Sequence, residues 1–287
     1  MDVITAKSYF SGCGGMDLGM MDAGIDVIES YEIDKGCCKV LSQLGHRVNE
    51  CDVTKITVLD QPGADVFIGT FPCTRYSVAA DISGTRTGDD LFLHFFRHVA
   101  LARPEVYVVE NVPGMRKFRV VMEALTRLPD YYVRVECPVN ANRWLPQDRK
   151  RLILIGSKRP MPVIEDGGTS MRLRDVLEKD PDVSVPDYVR KRLEGHYRDL
   201  PNIKTRDDVA PCCVAHYGKD RSTALVDDGT RIRPFSVREY ARLQGFPDWF
   251  EFDCPDSKAY TMIGNAVPVP MARWVGENIV RYMEGAA

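Results

Sequence analysis

Histidine is scarce in this chain, and its cysteines do not pair by number. The 287 residues include 5 His and 9 Cys, and no two cysteines stand in a C-x-x-C arrangement. A structural zinc site needs clustered Cys and His ligands, so no metal is expected. An odd cysteine count without a regular framework points to a reducing, cytoplasmic compartment rather than a disulfide scaffold. Long apolar runs are absent. No stretch approaches the ~20 residues of a membrane span, so no membrane partner is expected. The start, Met1-Asp2-Val3-Ile4-Thr5-Ala6-Lys7, has no basic flank ahead of an apolar core, and no signal peptide is expected. Positive charge is not in excess either. Net charge is −3, so the chain as a whole does not advertise nucleic-acid binding.

What is present is the composition of a globular domain. Apolar residues make up 44% and charged residues 28%, enough to fill the core of one large α/β domain with a small lobe. Charge is also unevenly placed. Arg134, Arg143, Arg149, Lys150, Arg151, Lys158 and Arg159 crowd one stretch against only Glu136 and Asp148. Arg190, Lys191, Arg192, Arg198, Lys204 and Arg206 form a second basic group. Each run alone reads as solvated surface. Together, in one half of a mildly acidic chain, they permit a polyanion-binding cleft.

The first 157 residues alternate strand-like and helix-like segments. Strands are predicted at 7–10, 27–32, near Val48, 64–71, 106–109, 132–139 and 152–156. Phe92, Phe95, Phe96 and Val99 recur at helical spacing. This order implies a mostly parallel seven-stranded sheet with helices on both faces, an α/β architecture. From 158 to 232 prolines and glycines interrupt the pattern, and a small second lobe is expected there. Ser236-x-x-Glu239 is a capping box before a helix, with Gly245 as its stop. The segment 233–287, ending in a helix from about Pro270 to Met283, is expected to return to the large domain.

Chemistry-bearing residues fall at predicted strand ends. Phe10-Ser11-Gly12-Cys13-Gly14-Gly15 follows the first strand, where glycines let a ligand approach the backbone. Glu32 ends the second strand and can hold ribose hydroxyls. Asp52 ends the third and can accept from an adenine amino group. The glycine spacing does not match the G-x-G-x-x-G of nicotinamide enzymes. Cys73 ends the fourth strand and Glu110 the fifth, so a thiol and a carboxyl could share one cleft. A packed, inert thiol is the ordinary fate of such a cysteine, and a helix cap is the ordinary alternative for Glu110. In Gln147-Asp148-Arg149-Lys150-Arg151, strand alternation predicts Arg149 and Arg151 on one side, suited to bind a carboxylate, phosphate or base oxygen.

In this order the segments resemble the DNA (cytosine-5) methyltransferases along nearly the whole chain. Phe10–Gly15 looks like the family's cofactor loop, and Phe71-Pro72-Cys73-Thr74-Arg75-Tyr76-Ser77 like its nucleophile loop. Glu110-Asn111-Val112, Gln147–Arg151, Arg238–Pro247 and Ile263–Val267 match four further motifs. The resemblance implies a class I, Rossmann-like methyltransferase that uses S-adenosylmethionine on a cytosine flipped out of double-stranded DNA. It implies that Cys73 attacks C6, Glu110 protonates N3, Arg151 binds O2 and Arg149 steadies the nucleophile loop. Cofactor contacts are implied at Phe10, Gly12, Cys13, Gly14, Gly15, Glu32, Ile33, Asp52, Val53, Pro72, Leu91, Asn265 and Ala266. DNA contacts are implied at Thr74, Arg75 and Ser77. Thr74 stands where many bacterial members have Gln. The resemblance also fits a monomeric, nucleoid-associated bacterial or phage enzyme, with a cognate restriction endonuclease as a candidate partner. Methylation of RNA, and a silent DNA-binding homologue, are the competing readings.

Overall fold

The computed structural model describes residues 3–57, 63–72, 91–162, 168, 171–195 and 203–285. Two compact units emerge. The first comprises 1–139, 150–165 and 272–287; the second comprises 140–149 and 166–271. Residues 233–271 therefore belong with the small lobe rather than with the sheet, and 140–149 joins them. The hydrogen bonds of Gln147 and Arg149, described below, account for that grouping.

The first unit is built on seven strands: β1 (Thr5–Tyr9), β2 (Asp26–Glu32), β3 (Arg47–Glu50), β4 (Val66–Gly69), β5 (Val106–Asn111), β6 (Tyr132–Asn140) and β7 (Lys150–Ser157). Their order across the sheet is β3-β2-β1-β4-β5-β7-β6. β1 to β5 pair in parallel, whereas β7 runs antiparallel to β5. β4 and β5 are buried along their whole length, as strands covered on both faces are. The chain moves outward from β1 to β3, then returns to β4 on the other side of β1. That reversal opens a crevice at the carboxyl ends of β1 and β4, the usual ligand position in such sheets.

Helices α1 (Gly15–Asp22), α2 (Lys35–Leu41), α3 (Leu91–Ala102) and α4 (Arg119–Thr126) connect these strands. Asp34 caps α2 by accepting from the Cys37 N–H at 2.9 Å. On α3, Phe92, Phe95 and Val99 of the predicted stripe are buried, and Phe96 is half-buried. Phe95 packs with Tyr9, Phe67 and Tyr107 in one hydrophobic cluster over the sheet.

The second unit carries a three-stranded sheet, β8 (Ile203–Thr205), β9 (Leu225–Asp227) and β10 (Ile232–Pro234), ordered β10-β9-β8. Around it lie α5 (Asp187–Glu194), α6 (Val237–Leu243) and α7 (Asp256–Asn265). The capping box at α6 is complete: the Glu239 N–H donates to Ser236 Oγ at 3.0 Å, and the Ser236 N–H donates to Glu239 Oε2 at 2.9 Å. Gly245 ends this segment at φ +81°, and a Cβ there would lie 2.4 Å from the Pro270 ring. The last helix, α8 (Val269–Glu284), buries Val275, Asn278, Ile279 and Tyr282.

Candidate active site

Because β1, β2, β4 and β5 are parallel, their carboxyl ends gather at one edge of the first unit. The loop after β1 is tightly bent: Phe10 has φ 61°, Gly12 57° and Gly14 90°. The Phe10 and Ser11 N–H groups both donate to Tyr31 O, at 2.9 and 3.3 Å. Glu32 closes β2 against this loop. Its Oε2 accepts from the Gly12 N–H and its Oε1 from the Ile33 and Asp34 N–H groups, each at 2.8 Å. Oε2 thus has one backbone donor and keeps acceptor capacity for a ribose hydroxyl. A Cβ on Gly12 would meet no atom within 4 Å, so the loop faces open space. Cys13 and Val53 are buried, while Ile33 is exposed beside Glu32. These features fit an adenosine-containing cofactor. Asp52 is turned toward its own chain: Oδ1 accepts from the Thr54 hydroxyl at 2.7 Å and the Thr54 N–H at 3.0 Å.

The end of β4 is held from two sides. Thr70 Oγ1 donates to Phe10 O at 2.9 Å, and Asn111 Nδ2 donates to Phe71 O at 3.1 Å. The Phe10 and Phe71 rings meet edge to face with centroids 6.3 Å apart. Phe71 is buried and Pro72 is exposed at the mouth of the segment leading to Cys73. Cys73, Thr74, Arg75 and Ser77 lie outside the described residues. Leu91, half-buried, starts α3.

Glu110 and Arg151 come together from β5 and the start of β7. Arg151 Nε lies 2.9 Å from Glu110 Oε1, with the side chains 12% and 10% exposed. A buried carboxyl facing a fixed cation can exchange a proton with a ring nitrogen while the guanidinium binds an adjacent carbonyl oxygen. Two thiols after β2, Cys37 and Cys38, are poor nucleophiles. Burial, followed by Cys13, Glu32 and Asp34, pushes the Cys37 thiol up, and burial followed by the same carboxylates and Glu50 pushes Cys38 up to about 11.

Arg149 does not share the surroundings of Arg151. Strand alternation does not apply between them, because β7 begins at Lys150 and the preceding residues bridge to Ala210. Within the second unit, Arg149 Nη1 donates to Cys213 O at 2.6 Å, and Nη2 donates to Gly264 O and Ala266 O at 3.1 and 2.8 Å. Gln147 Nε2 donates to Gln244 Oε1 at 2.9 Å, and Gln244 Nε2 donates to Ile263 O at 2.7 Å. The Cys213 N–H donates to Gln147 Oε1 at 2.8 Å. Gln147, Arg149 and Gln244 form a buried hub that fixes the stretch containing Asn265 and Ala266. Asn265 itself is exposed at the end of α7. Sequence reasoning missed Gln147, Gln244 and Asn111 as individual actors. The signal was the position of each inside a matched motif.

Among the described residues no helix is long and apolar enough to cross a membrane. The family description C-5 cytosine-specific DNA methylase matches residues 4–207 and 203–281. The type II methyltransferase M.NlaX of Neisseria lactamica is 30% identical over 94% of both chains. M.MthTI of Methanothermobacter thermautotrophicus, also a type II methyltransferase, is 29% identical over 97% of both. The Entamoeba histolytica methyltransferase EhMeth superposes with a TM-score of 0.83 at 16% identity, covering 99% of each chain. The S. pombe Dnmt2 methyltransferase superposes at 0.77 with 19% identity, again over 99% of each. At such identities the superpositions bear on the fold, which is that of class I methyltransferases. The sequence match, in contrast, spans both units and every strand of the large sheet, and the chain belongs to the C-5 cytosine-specific DNA methylase family.

Proposed function

We propose that this enzyme transfers the methyl group of S-adenosylmethionine to C5 of a cytosine flipped out of duplex DNA, through a covalent bond between Cys73 and C6. The observation that carries this reading is the pairing of buried Glu110 with half-buried Arg151, beside the anchored Phe71–Pro72 lead-in to Cys73. Family membership supports the base and the position of methylation, and the curated type II relatives favour DNA.

Bound S-adenosylmethionine supplies an electrophilic methyl group. The Gly12–Gly15 loop, Glu32 and Ile33 would hold its nucleoside end, where the Glu32 carboxylate would be available to the ribose hydroxyls. Cytosine C5 is a weak nucleophile until C6 is saturated. The Cys73 thiolate forms the S–C6 bond, and Glu110 gives N3 a proton so that no charge builds up on the ring. Arg151 engages O2 and steadies the Glu110 carboxyl. C5 then takes the methyl group, with S-adenosylhomocysteine as the leaving group, and its proton departs to water. The C5=C6 bond re-forms, Cys73 leaves as thiolate, and the N3 proton returns to Glu110. Thr74, Arg75 and Ser77 are proposed to contact the DNA backbone near the flipped nucleotide. The small lobe expected over 158–232 is proposed to read the target sequence.

The test is methyl transfer from radiolabelled S-adenosylmethionine to mixed-sequence duplex DNA and, in parallel, to total tRNA. Label recovered as 5-methyldeoxycytidine after nuclease digestion supports the reading. Label in RNA alone would overturn the choice of DNA.

A further inference from the structure

A carboxylate lies beneath the cofactor loop, in a position where an apolar side chain would be cheaper to bury. Ser8 on β1 and Ser30 on β2 are register partners on the same face of the sheet. Asp17, in the first turn of α1, drops between them and is fully buried. Ser8 Oγ donates to Asp17 Oδ1 and Ser30 Oγ donates to Asp17 Oδ2, both at 2.5 Å. Ser11, inside the loop, donates from Oγ to Ser8 Oγ at 2.9 Å and to Ser8 O at 3.1 Å. On the far side, His46 Nε2 lies 2.7 Å from Ser30 Oγ and 3.7 Å from Asp17 Oδ2.

The hydroxyl protons along this chain have one consistent direction. Ser11 points to Ser8, Ser8 to Asp17, and Ser30 to Asp17. An acceptor at position 17 that offers both oxygens satisfies Ser8 and Ser30 together, and it directs the Ser8 proton away from Ser11 so that Ser8 Oγ accepts from the loop. The loop needs such an anchor, since Phe10, Gly12 and Gly14 all adopt left-handed backbone within five residues. Two backbone bonds to Tyr31 O hold its start, and the Ser11 side chain ties it to the sheet.

We propose that Asp17 is a positioning residue for cofactor binding, acting through Ser8 and Ser11 to hold the Phe10–Gly14 loop in the shape that admits S-adenosylmethionine. This rests on the cofactor reading given above. Asp17 does not touch the reacting atoms; its effect is confined to the affinity of the loop for the cofactor. Ser30 and His46 complete the burial of Asp17 without reaching the loop.

The test is calorimetric titration of S-adenosylmethionine into the wild type, Asp17→Asn, Ser11→Ala, Ser30→Ala and the Ser11→Ala/Asp17→Asn double variant, with thermal midpoints measured alongside. An amide at 17 presents one donor where two acceptors are required. Asp17→Asn and Ser11→Ala should each weaken binding at least tenfold. The double variant should bind no more weakly than Asp17→Asn, as expected when two residues act through one connection. KM for the cofactor should rise in step, with kcat at saturating cofactor and KM for DNA within threefold of wild type. Ser30→Ala should lower the thermal midpoint and leave cofactor affinity within twofold. Wild-type affinity in Ser11→Ala overturns the proposal even if Asp17→Asn fails to fold. Equal losses of affinity in Ser30→Ala and Ser11→Ala also overturn it, by pointing to general destabilisation. Failure of the wild type to bind S-adenosylmethionine would refute the cofactor reading itself.

Discussion

Arg151 Nε and Glu110 Oε1 are 2.9 Å apart, joining the start of β7 to the end of β5. Because β7 runs antiparallel to β5, its first residues lie at the sheet edge where β5 ends. A parallel strand in that place would bring its last residues there instead. The antiparallel strand thus delivers a cation to the Glu110 carboxyl.

Glu110→Gln keeps the shape of this pair and removes its acid. Transfer should fall by about a hundredfold or more, the scale of a lost general acid, with cofactor affinity unchanged. Single-turnover methylation and cofactor titration separate the two effects. Lost cofactor affinity would make Glu110 a structural residue.

Asn111→Asp should slow transfer at least tenfold without changing cofactor affinity. The Asn111 amide donates to Phe71 O, two residues before Cys73. A carboxylate there would face the carbonyl with no donor and release the lead-in. The measurement is kcat at saturating cofactor, set against calorimetric affinity.

Arg149→Ala should destabilise the second unit by about 3 kcal/mol, because Cys213 O and Gly264 O lose the guanidinium that donates to them and Ala266 O keeps only Gln244 Nε2 at 3.0 Å. Lysine should rescue little, since one ammonium cannot span the carbonyls of Cys213, Gly264 and Ala266 as a planar guanidinium does. Urea unfolding gives the energy. Faster hydrogen exchange at 210–215 and 262–268, with 106–111 unchanged, would place the effect.

His98 makes stability pH-dependent. Burial, followed by the charges of Arg97, Lys7 and His94, holds its imidazole down to about 4. Unfolded, the group titrates near 6.5. Its contribution is therefore complete above about pH 6.5 and is lost as pH falls toward 4. In His98→Gln the loss of unfolding free energy between pH 7 and pH 5 should be smaller than in the wild type. Parallel losses in the two proteins would exclude His98 as the source.

Much of the site could be read from the sequence because strand ends are marked there. Glu32, Phe71–Pro72 and Glu110 each close an apolar run, and the parallel sheet gathers those closures. The Ser236–Glu239 cap and Gly245 were legible for a local reason: each depends on a few neighbouring residues. Three features depend on distant partners and were not. Helix α7 follows Pro255 without a side-chain cap, so nothing local announces it. The surroundings of the Arg149 side chain are set by residues 63 and more positions away, so alternation misled. The division of the chain follows the Gln147–Arg149–Gln244 hub rather than the proline-rich stretch.

The central claim is that Cys73 bonds to C6 of cytosine, and a trapped adduct tests it most directly. Duplex DNA of mixed sequence would carry 5-fluorocytosine for cytosine in one strand. Fluorine cannot leave as a cation, so the bond between thiol and ring should persist after methyl transfer. We expect a complex that survives SDS, requires S-adenosylmethionine, maps to the peptide containing Cys73 and is absent in Cys73→Ser. No SDS-stable complex with the wild type, or one that persists in Cys73→Ser, would contradict the account.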